Sequence, residues 1–495
     1  MPARGPSAPR NARATTIAAK SEHGSRPRVE ADVTVLVIAW SPEEPERVGE
    51  IAVVPAKGAV QVLGRGPAED EARVRFFRPR PGRLDVTEAL ASPGLSRRQL
   101  EVVAGPEGVE VRRVGKCPMR VNNVECDTAT LHPGDTVRFR QELVLLCMRR
   151  PARLAPLRHF DAAAAGDFGE PDKLGILGES PAIWALRDTI AFAAKSDAHV
   201  LLVGESGTGK ELAARAVYEL SQSRKRRLVS RSAATLPSGL IDAELFGNVR
   251  NYPNPGMAER PGLIGEADGG FLFLDEIGEL PSELQAHLLR VLDAAGEYQR
   301  LGEHVMRRSA FRLLAATNRD PSDLKHDLLA RLSIRVELPP LAERREDIPL
   351  LVRNLVARAS QRSPEVAARF VGHAANGRPD VRVDAKLIDA LLRRDYQGNA
   401  RELEALLWAA MAASEGEVIA WSQAAMRVGA SDGSKRLGRE SLPGRVRNAE
   451  PSEDEIRAAL ARAEGNVARA AKALGLSSRY ALYRMMVKLG IEGQG

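Results

Sequence analysis

The sequence predicts a multidomain chain: an all-β sandwich first, an alternating α/β region with a helical appendage next, and a small all-α module last. Three observations predict it. Short apolar runs punctuated by Gly and Pro fill residues 33–150. The run Val200-Leu201-Leu202-Val203 is followed by the glycine-rich octapeptide Gly204-Glu205-Ser206-Gly207-Thr208-Gly209-Lys210-Glu211 and a helical stretch. The last forty-odd residues carry a helix–turn–helix pattern with one basic face. A chain of 495 residues, 44% hydrophobic, has material for about three cored domains.

Taken in order, residues 1–32 form a basic tail rich in Pro, Ser and Arg, without the apolar stretch of a signal peptide, and are expected to be disordered. Strand-like runs then recur at Val33 to Trp40, Ile51 to Val54, Val60 to Leu63, Leu100 to Val103, Val109 to Val114 and Val137 to Leu146. Residues 151–172, with three prolines and an alanine run, are expected to be a linker. Alternating strand and helix patterns over 173–345 predict a mainly parallel sheet covered by helices. Residues 346–428 are helical, with three-to-four spacing in Ile348 to Ala359 and Leu387 to Leu392. A Gly/Ser/Arg/Pro linker over 429–450 precedes the terminal module, 451–495.

The octapeptide carries the most chemistry. A buried strand, a glycine turn and a helix N-terminus present backbone N–H groups and a positive dipole end to phosphates, and Lys210 reaches the terminal ones. Glu211 stands where such loops usually place a hydroxyl. About sixty residues on, Gly270-Phe271-Leu272-Phe273-Leu274-Asp275-Glu276 reads as a buried strand ending in two carboxylates. Asp275 can hold Mg²⁺, and Glu276 can orient an attacking water. Together the two segments predict binding of ATP with Mg²⁺.

With Glu244-Leu245-Phe246-Gly247, the strand-like Leu313 to Asn318, and Gly398-Asn399-Ala400-Arg401-Glu402-Leu403, these residues resemble the AAA+ domain of bacterial enhancer-binding activators, which work with sigma-54 RNA polymerase. The resemblance covers residues 175–410, and members carry glutamate where Glu211 stands. It implies that Lys210 contacts the β/γ-phosphates, Asp275 binds magnesium, Glu276 activates water and Asn318 senses the γ-phosphate. It implies that Arg401 is the lid arginine and Arg331 a finger reaching the neighbouring subunit, which requires a ring, usually a hexamer. Departures accompany the matches. The family's sigma-gripping Gly-Ala-Phe-Thr-Gly-Ala loop is Asn251-Tyr252-Pro253-Asn254-Pro255-Gly256 here. Lys325 stands at a first arginine finger, and Ser232 at the asparagine that restrains the catalytic glutamate.

Gly465 to Ser477 reads as a helix and a glycine-marked turn, with Ser477 capping a second helix. There Tyr480, Arg484 and Lys488 share one face, and Leu482, Met485 and Leu489 the other. From Gly465 to Gly490 five Lys/Arg, including Arg479, occur with no Asp/Glu, which suits a DNA major groove. The segment resembles the Fis-type helix-turn-helix, and its small size predicts dimeric packing. Upstream, Val62-Leu63-Gly64-Arg65, Leu95-Ser96-Arg97-Arg98-Gln99 and Val121-Asn122-Asn123 resemble a forkhead-associated (FHA) domain, a β-sandwich that binds phosphothreonine. The resemblance implies phosphate contacts from Arg65, Ser96, Arg97 and Asn122. Gln99 replaces the family's structural histidine, and Cys117 falls near its asparagine.

Net charge of +7 permits an anionic partner. Cys117, Cys126 and Cys147 have neither metal nor redox spacing, and no apolar run approaches a bilayer span, so a cytoplasmic protein without membrane contact is expected. The expected partners are upstream DNA, sigma-54 polymerase, a phosphothreonine protein and further copies of the chain. The alternative is a nucleotide-switched DNA-binding regulator or scaffold that leaves sigma-54 polymerase alone because the contacting loop is altered.

Overall fold

The computed structural model describes residues 31–54, 58–66, 72–222, 226–237, 239–252, 254–293, 296–373, 379–427, 453–463, 467–474, 476, 482 and 485–486. Twelve strands build the N-terminal module: β1 Val33–Trp40, β2 Ile51–Val53, β3 Gln61–Leu63, β4 Phe77–Arg80, β5 Arg83–Val86, β6 Leu100–Ala104, β7 Val109–Arg113, β8 Met119–Val121, β9 Val124–Glu125, β10 Thr128–Leu131, β11 Thr136–Phe139 and β12 Leu143–Arg150. They form an eight-stranded sheet in the order β5-β4-β2-β1-β12-β11-β8-β9 and a four-stranded sheet in the order β10-β7-β6-β3. Strand pairs within both sheets are antiparallel. Val137 to Leu146, a single run in the sequence, is two strands joined at a turn where Arg140 takes φ 46°.

The core of the next module is a parallel sheet in the order β14-β15-β18-β13-β19. Its elements run α1 Pro181–Lys195, β13 Val200–Val203, α2 Lys210–Leu220, β14 Leu228–Ser232, α3 Ile241–Phe246, α4 Gly262–Glu266, β15 Phe271–Asp275, α5 Ser282–Leu292, the hairpin β16 Glu297–Tyr298 and β17 Arg307–Arg308, β18 Arg312–Thr317, α6 His326–Arg331 and β19 Ile334–Glu337. β13, β15 and β18 are apolar at almost every position because helices cover both faces of the sheet. The lid follows: α7 Ile348–Arg362, α8 Pro364–Ala367, a small hairpin of β20 Val371–His373 and β21 Pro379–Val381, α9 Ala385–Leu392 and α10 Asn399–Ala413. The hairpin interrupts a region expected to be wholly helical. At the C-terminus, α11 Glu453–Arg462 and α12 Val467–Ala473 pack Ile456, Ala459 and Ala470 with Leu482 and Met486. Among the described residues, no helix is long and apolar enough to cross a membrane.

The modules are not beads on a string. Residues 151–172, expected to be a linker, are docked: Leu154, Phe160 and Ala165 pack against Trp184 of α1, and Asp172 forms a buried ion pair with Arg187. The sandwich itself sits on the lid. β1 alternates between two cores. Leu36 and Ile38 face the sandwich interior, while Val35, Val37 and Ala39 join Val352, Ile388 and Leu391 of the lid. β12 divides the same way, with Leu145 and Cys147 inward and Val144 and Leu146 toward the lid. A strand buried on both faces has no reason to alternate polar and apolar residues, and Val35-Leu36-Val37-Ile38-Ala39-Trp40 does not.

This packing makes a prediction about thiols. Cys147 has no exposed surface, and burial pushes its thiol pKa up to about 12. Cys117 is 7% exposed and is also raised by burial, whereas Cys126 is only partly buried. Ellman's reagent is therefore expected to titrate Cys126 in the folded protein and the other two only on unfolding. Three thiols reacting at one fast rate would contradict this packing.

Candidate nucleotide site

The glycine loop lies where β13 meets α2. Parallel pairing sets Val203 beside Thr317, and the Gly204 N–H donates to the Thr317 carbonyl at 3.2 Å. The neighbouring pair, β15 and β18, brings Asp275 and Glu276 to the same end of the sheet as Asn318. The sequence-predicted Lys210, Asp275, Glu276 and Asn318 thus stand at the carboxyl ends of adjacent parallel strands, where open α/β sheets bind ligands. Gly207 and Gly209 take φ of 77° and 101°, a conformation that side chains rarely adopt. Thr208 closes the loop by donating its hydroxyl to the Glu205 carbonyl at 2.8 Å.

Lys210 is buried, and its ammonium donates to the carbonyls of Gly204 and Glu205 at 2.9 and 3.0 Å. Burial lowers its pKa; Asp275 raises it in opposition, and Arg401 adds to the lowering. A buried ammonium on the glycine loop, with a carboxylate at the end of β15 on the far side of β18, matches the donor set for a magnesium-bound triphosphate. Glu211 is exposed in the first turn of α2.

Glu276 adopts φ 55° and ψ 43°, left-handed backbone in a non-glycine residue, which costs free energy and clusters at functional positions. Its N–H donates to Asp275 Oδ1 at 3.0 Å, and Ser232 Oγ donates to Glu276 Oε2 at 3.1 Å. The register Ser232↔Asp275 between β14 and β15 places that hydroxyl. Ser232 therefore holds the glutamate, from the position where the resemblance implies an asparagine.

The lid closes over the loop through its Gly398–Arg401 turn. Arg401 Nη1 donates to Ser206 Oγ at 3.0 Å, and the Ala400 N–H to the Gly207 carbonyl at 3.2 Å. Contact is close enough that a Cβ on Gly207 would lie 2.1 Å from the Gly398 oxygen. Asn399, which the sequence reading passed over, is fully buried at φ 49°. Its side chain donates to Glu205 Oε2 at 3.1 Å and to the Ser206 carbonyl at 3.0 Å, and accepts from the Leu341 N–H at 2.7 Å. Arg344, behind the loop, donates to the Thr208 carbonyl at 3.5 Å. Asn399→Ala strands several buried groups and puts a Cβ with no compensating amide in left-handed backbone. It is expected to cost about 2–3 kcal/mol of stability and to weaken nucleotide binding. An unchanged urea midpoint would contradict this.

Arg331 does not join its own chain's cradle. It is half exposed on α6 and pairs with Asp293 at 2.7 Å. Lys325 begins the same helix, its N–H donating to Gln285 Oε1 at 3.0 Å. The ends of the altered loop are tied together: the Gly256 N–H donates to Asn251 Oδ1 at 3.0 Å, and the Asn251 N–H to the Met257 carbonyl at 2.9 Å. The Tyr252 ring lies over Gly302, whose added Cβ would come within 2.6 Å of it.

On the sandwich, Arg65, Ser96 and Arg97 come together. The Arg65 N–H donates to the Ser96 carbonyl at 3.2 Å, and Ser96 Oγ accepts from the Lys116 N–H at 3.0 Å. Gly64 permits the approach, since a Cβ there would lie 2.2 Å from the Arg97 oxygen. Arg73, which no motif flagged, ties both loops by donating to the Arg97 and Arg65 carbonyls at 2.7 and 3.2 Å. Gln99 is fully buried and donates to the Cys117 carbonyl at 2.7 Å, so it anchors the loop where the family has histidine. Asn122 is different. It shapes the β8–β9 turn at φ 51°, its Nδ2 donating to Asp135 at 2.8 Å and its Oδ1 accepting from the Thr136 N–H at 3.1 Å. Its amide is thus spent on that turn, not on the cluster around Ser96. The DNA-binding residues read from the sequence, Ser477, Arg479, Tyr480, Arg484 and Lys488, lie outside the described residues.

A glycine loop at a strand–helix turn, paired carboxylates at the end of β15 and an arginine-bearing lid define a AAA+ ATPase module. Comparison with known proteins agrees. Residues 176–338 match the family described as "Sigma-54 interaction domain", 342–440 "AAA+ ATPase lid domain", and 452–489 "Bacterial regulatory protein, Fis family". The chain is 35% identical over 320 residues to the transcriptional regulatory protein ZraR of Salmonella typhimurium strain LT2, covering 63% of this chain and 68% of that one. It is 36% identical over 339 residues to a formate hydrogenlyase transcriptional activator of Salmonella typhimurium strain SL1344, covering 66% of this chain and 45% of the activator. It therefore spans about half the length of that activator. The chain belongs to the sigma-54-interacting family of transcriptional regulators. A solved FHA domain described as phosphothreonine-dependent also aligns with 24% of the chain and 98% of its own length, at 18% identity and a TM-score of 0.18.

Proposed function

We propose that this chain is an ATP-hydrolysing, DNA-bound regulator of transcription of the sigma-54 activator type, governed by phosphothreonine recognition on its sandwich. One observation carries the ATPase reading: Lys210, Asp275, Glu276 and Asn318 share one end of the parallel sheet, with Ser232 bonded to the glutamate. Lys210 and the loop amides bind the β- and γ-phosphates. Asp275 holds Mg²⁺, which neutralises phosphate charge when bound. Glu276 orients water and takes its proton, Asn318 reads the γ-phosphate, and Arg401 reports the bound nucleotide to the lid. Arg331 of a neighbouring copy completes the site, so turnover rises with protein concentration as a ring assembles. The helix-turn-helix holds the ring at upstream DNA.

The phosphopeptide reading rests on Arg65, Ser96 and Arg97, whose loops are held together by Arg73 and the Lys116 amide; two guanidinium groups and a hydroxyl at that place are charge-assisted donors suited to a dianion. Arg65→Ala is expected to lower affinity for a phosphothreonine peptide about tenfold or more. Fluorescence polarisation checks this; equal binding of phosphorylated and unphosphorylated peptides would refute it.

A second reading is favoured by the Asn251–Gly256 loop, tied at its ends and stacked on Gly302: a nucleotide-switched, DNA-bound regulator that does not remodel sigma-54 polymerase. In vitro transcription with sigma-54 polymerase, with and without ATP, separates the two. ATP-dependent promoter opening supports the activator; DNA binding without opening supports the switch.

A further inference from the structure

The sandwich touches the ATPase module on both sides of its hinge, residues 338–347, the segment that joins core to lid. On the lid side, the Thr136 hydroxyl donates to Asp389 of α9, and Gln141 caps that helix, its Nε2 donating to Asp384 at 2.8 Å and its Oε1 accepting from the Ala385 N–H at 2.8 Å. Arg353 of α7 donates to the Pro45 carbonyl of the sandwich at 2.9 Å. At the hinge, Arg150, the last residue of β12, makes a buried ion pair with Glu346. On the core side, Arg80 of the β4–β5 hairpin reaches Glu179 at 3.1 Å, both nearly buried. Its guanidinium also stacks within 5.2 Å of the Trp184 ring centroid.

These anchors meet one another. Asp347, next to Glu346, accepts from the Glu179 and Ser180 N–H groups at 2.8 and 3.0 Å and from the Ser180 hydroxyl at 2.6 Å. Three residues earlier, Arg344 touches the glycine loop at Thr208. The nucleotide site is also divided across the hinge, with Lys210 and Asp275 on the core and Asn399 and Arg401 on the lid. Both the sandwich and a bound nucleotide therefore depend on the angle between lid and core.

We infer that the sandwich is a clamp on that angle, so that its docking and nucleotide affinity are thermodynamically coupled. The inference rests on the nucleotide reading above but not on phosphothreonine recognition. Coupling is reciprocal: whatever loosens the clamp changes ADP affinity, and ADP changes the clamp by the same factor. A phosphorylated partner that shifted the sandwich would reach the ATP site by this route.

The test uses the full chain and a fluorescent N-methylanthraniloyl-ADP. Thr136→Val with Gln141→Ala removes lid contacts while leaving both apolar cores in place. The double variant is expected to change affinity by about five- to 150-fold, the usual range of coupling. In the unaltered chain, ADP is expected to alter hydrogen exchange in β1 and β12, neither of which contributes a residue to the glycine loop. Affinity unchanged while β1 and β12 lose protection, or exchange in those strands indifferent to ADP, overturns the clamp alone. Failure of the unaltered chain to bind ADP overturns the nucleotide reading and the coupling with it.

Discussion

Glu276→Gln is expected to bind ATP as tightly as the unaltered chain and to hydrolyse it about 10²- to 10⁴-fold more slowly, the contribution of a positioned general base. The amide has the same shape and can still accept from Ser232, so the left-handed turn at φ 55° is retained. It cannot take a proton from water. Asp275 and Lys210 are unaltered, which leaves the phosphate contacts intact. Turnover within tenfold of the unaltered rate would show that another group activates water. Slow turnover with lost binding would show that Glu276 is structural.

Arg331→Ala is expected to lower turnover about 10³-fold or more, in the range attributed to an arginine finger, with ATP affinity nearly unchanged. The reason lies in where Arg331 stands. Within its own chain it pairs with Asp293 at 2.7 Å, half exposed on α6, rather than joining the glycine loop. A surface pair of this kind contributes little to stability, so the variant should fold normally. Its proposed work is on the neighbouring copy. Mixing Arg331→Ala with Glu276→Gln is therefore expected to restore part of the activity, because mixed rings contain interfaces with an intact arginine opposite an intact glutamate. No recovery on mixing would place the finger elsewhere, with Lys325 the nearest alternative on the same helix.

Much of this architecture was legible because it is local. The glycine loop, the Phe271–Asp275 strand and the lid arginine are short segments whose residue types leave few conformations open. Parallel pairing then follows from alternating strands and helices. The sandwich strands were legible where apolar runs are long, as at Val33–Trp40, but the β4–β5 hairpin was missed because Phe77–Arg80 and Arg83–Val86 are rich in Arg and Pro. Arg80 in that hairpin spends its charge on Glu179, a partner 99 residues away that no window of sequence can pair with it. Asn122 belongs to the FHA-like motif but serves its own turn, since a left-handed backbone and its bonds to Asp135 and Thr136 claim its amide first. Asn399 hid inside a motif read for its arginine, although an asparagine at a helix start is the residue suited to left-handed backbone. The docking of sandwich on lid did leave a trace in the unbroken apolar run of β1. A two-sided strand and a strand buried by its own domain look the same in sequence, and only the tertiary packing tells them apart.

The account stands on convergence of Lys210 and Asp275 on one magnesium-bound triphosphate. A crystal structure of the full chain grown with a non-hydrolysable ATP analogue and Mn²⁺, located by its anomalous signal, tests this most directly. The metal is expected beside Asp275, with the β- and γ-phosphates within hydrogen-bond distance of Lys210 Nζ and the 204–210 loop amides. Nucleotide seated elsewhere, or none bound at millimolar concentration, would contradict it.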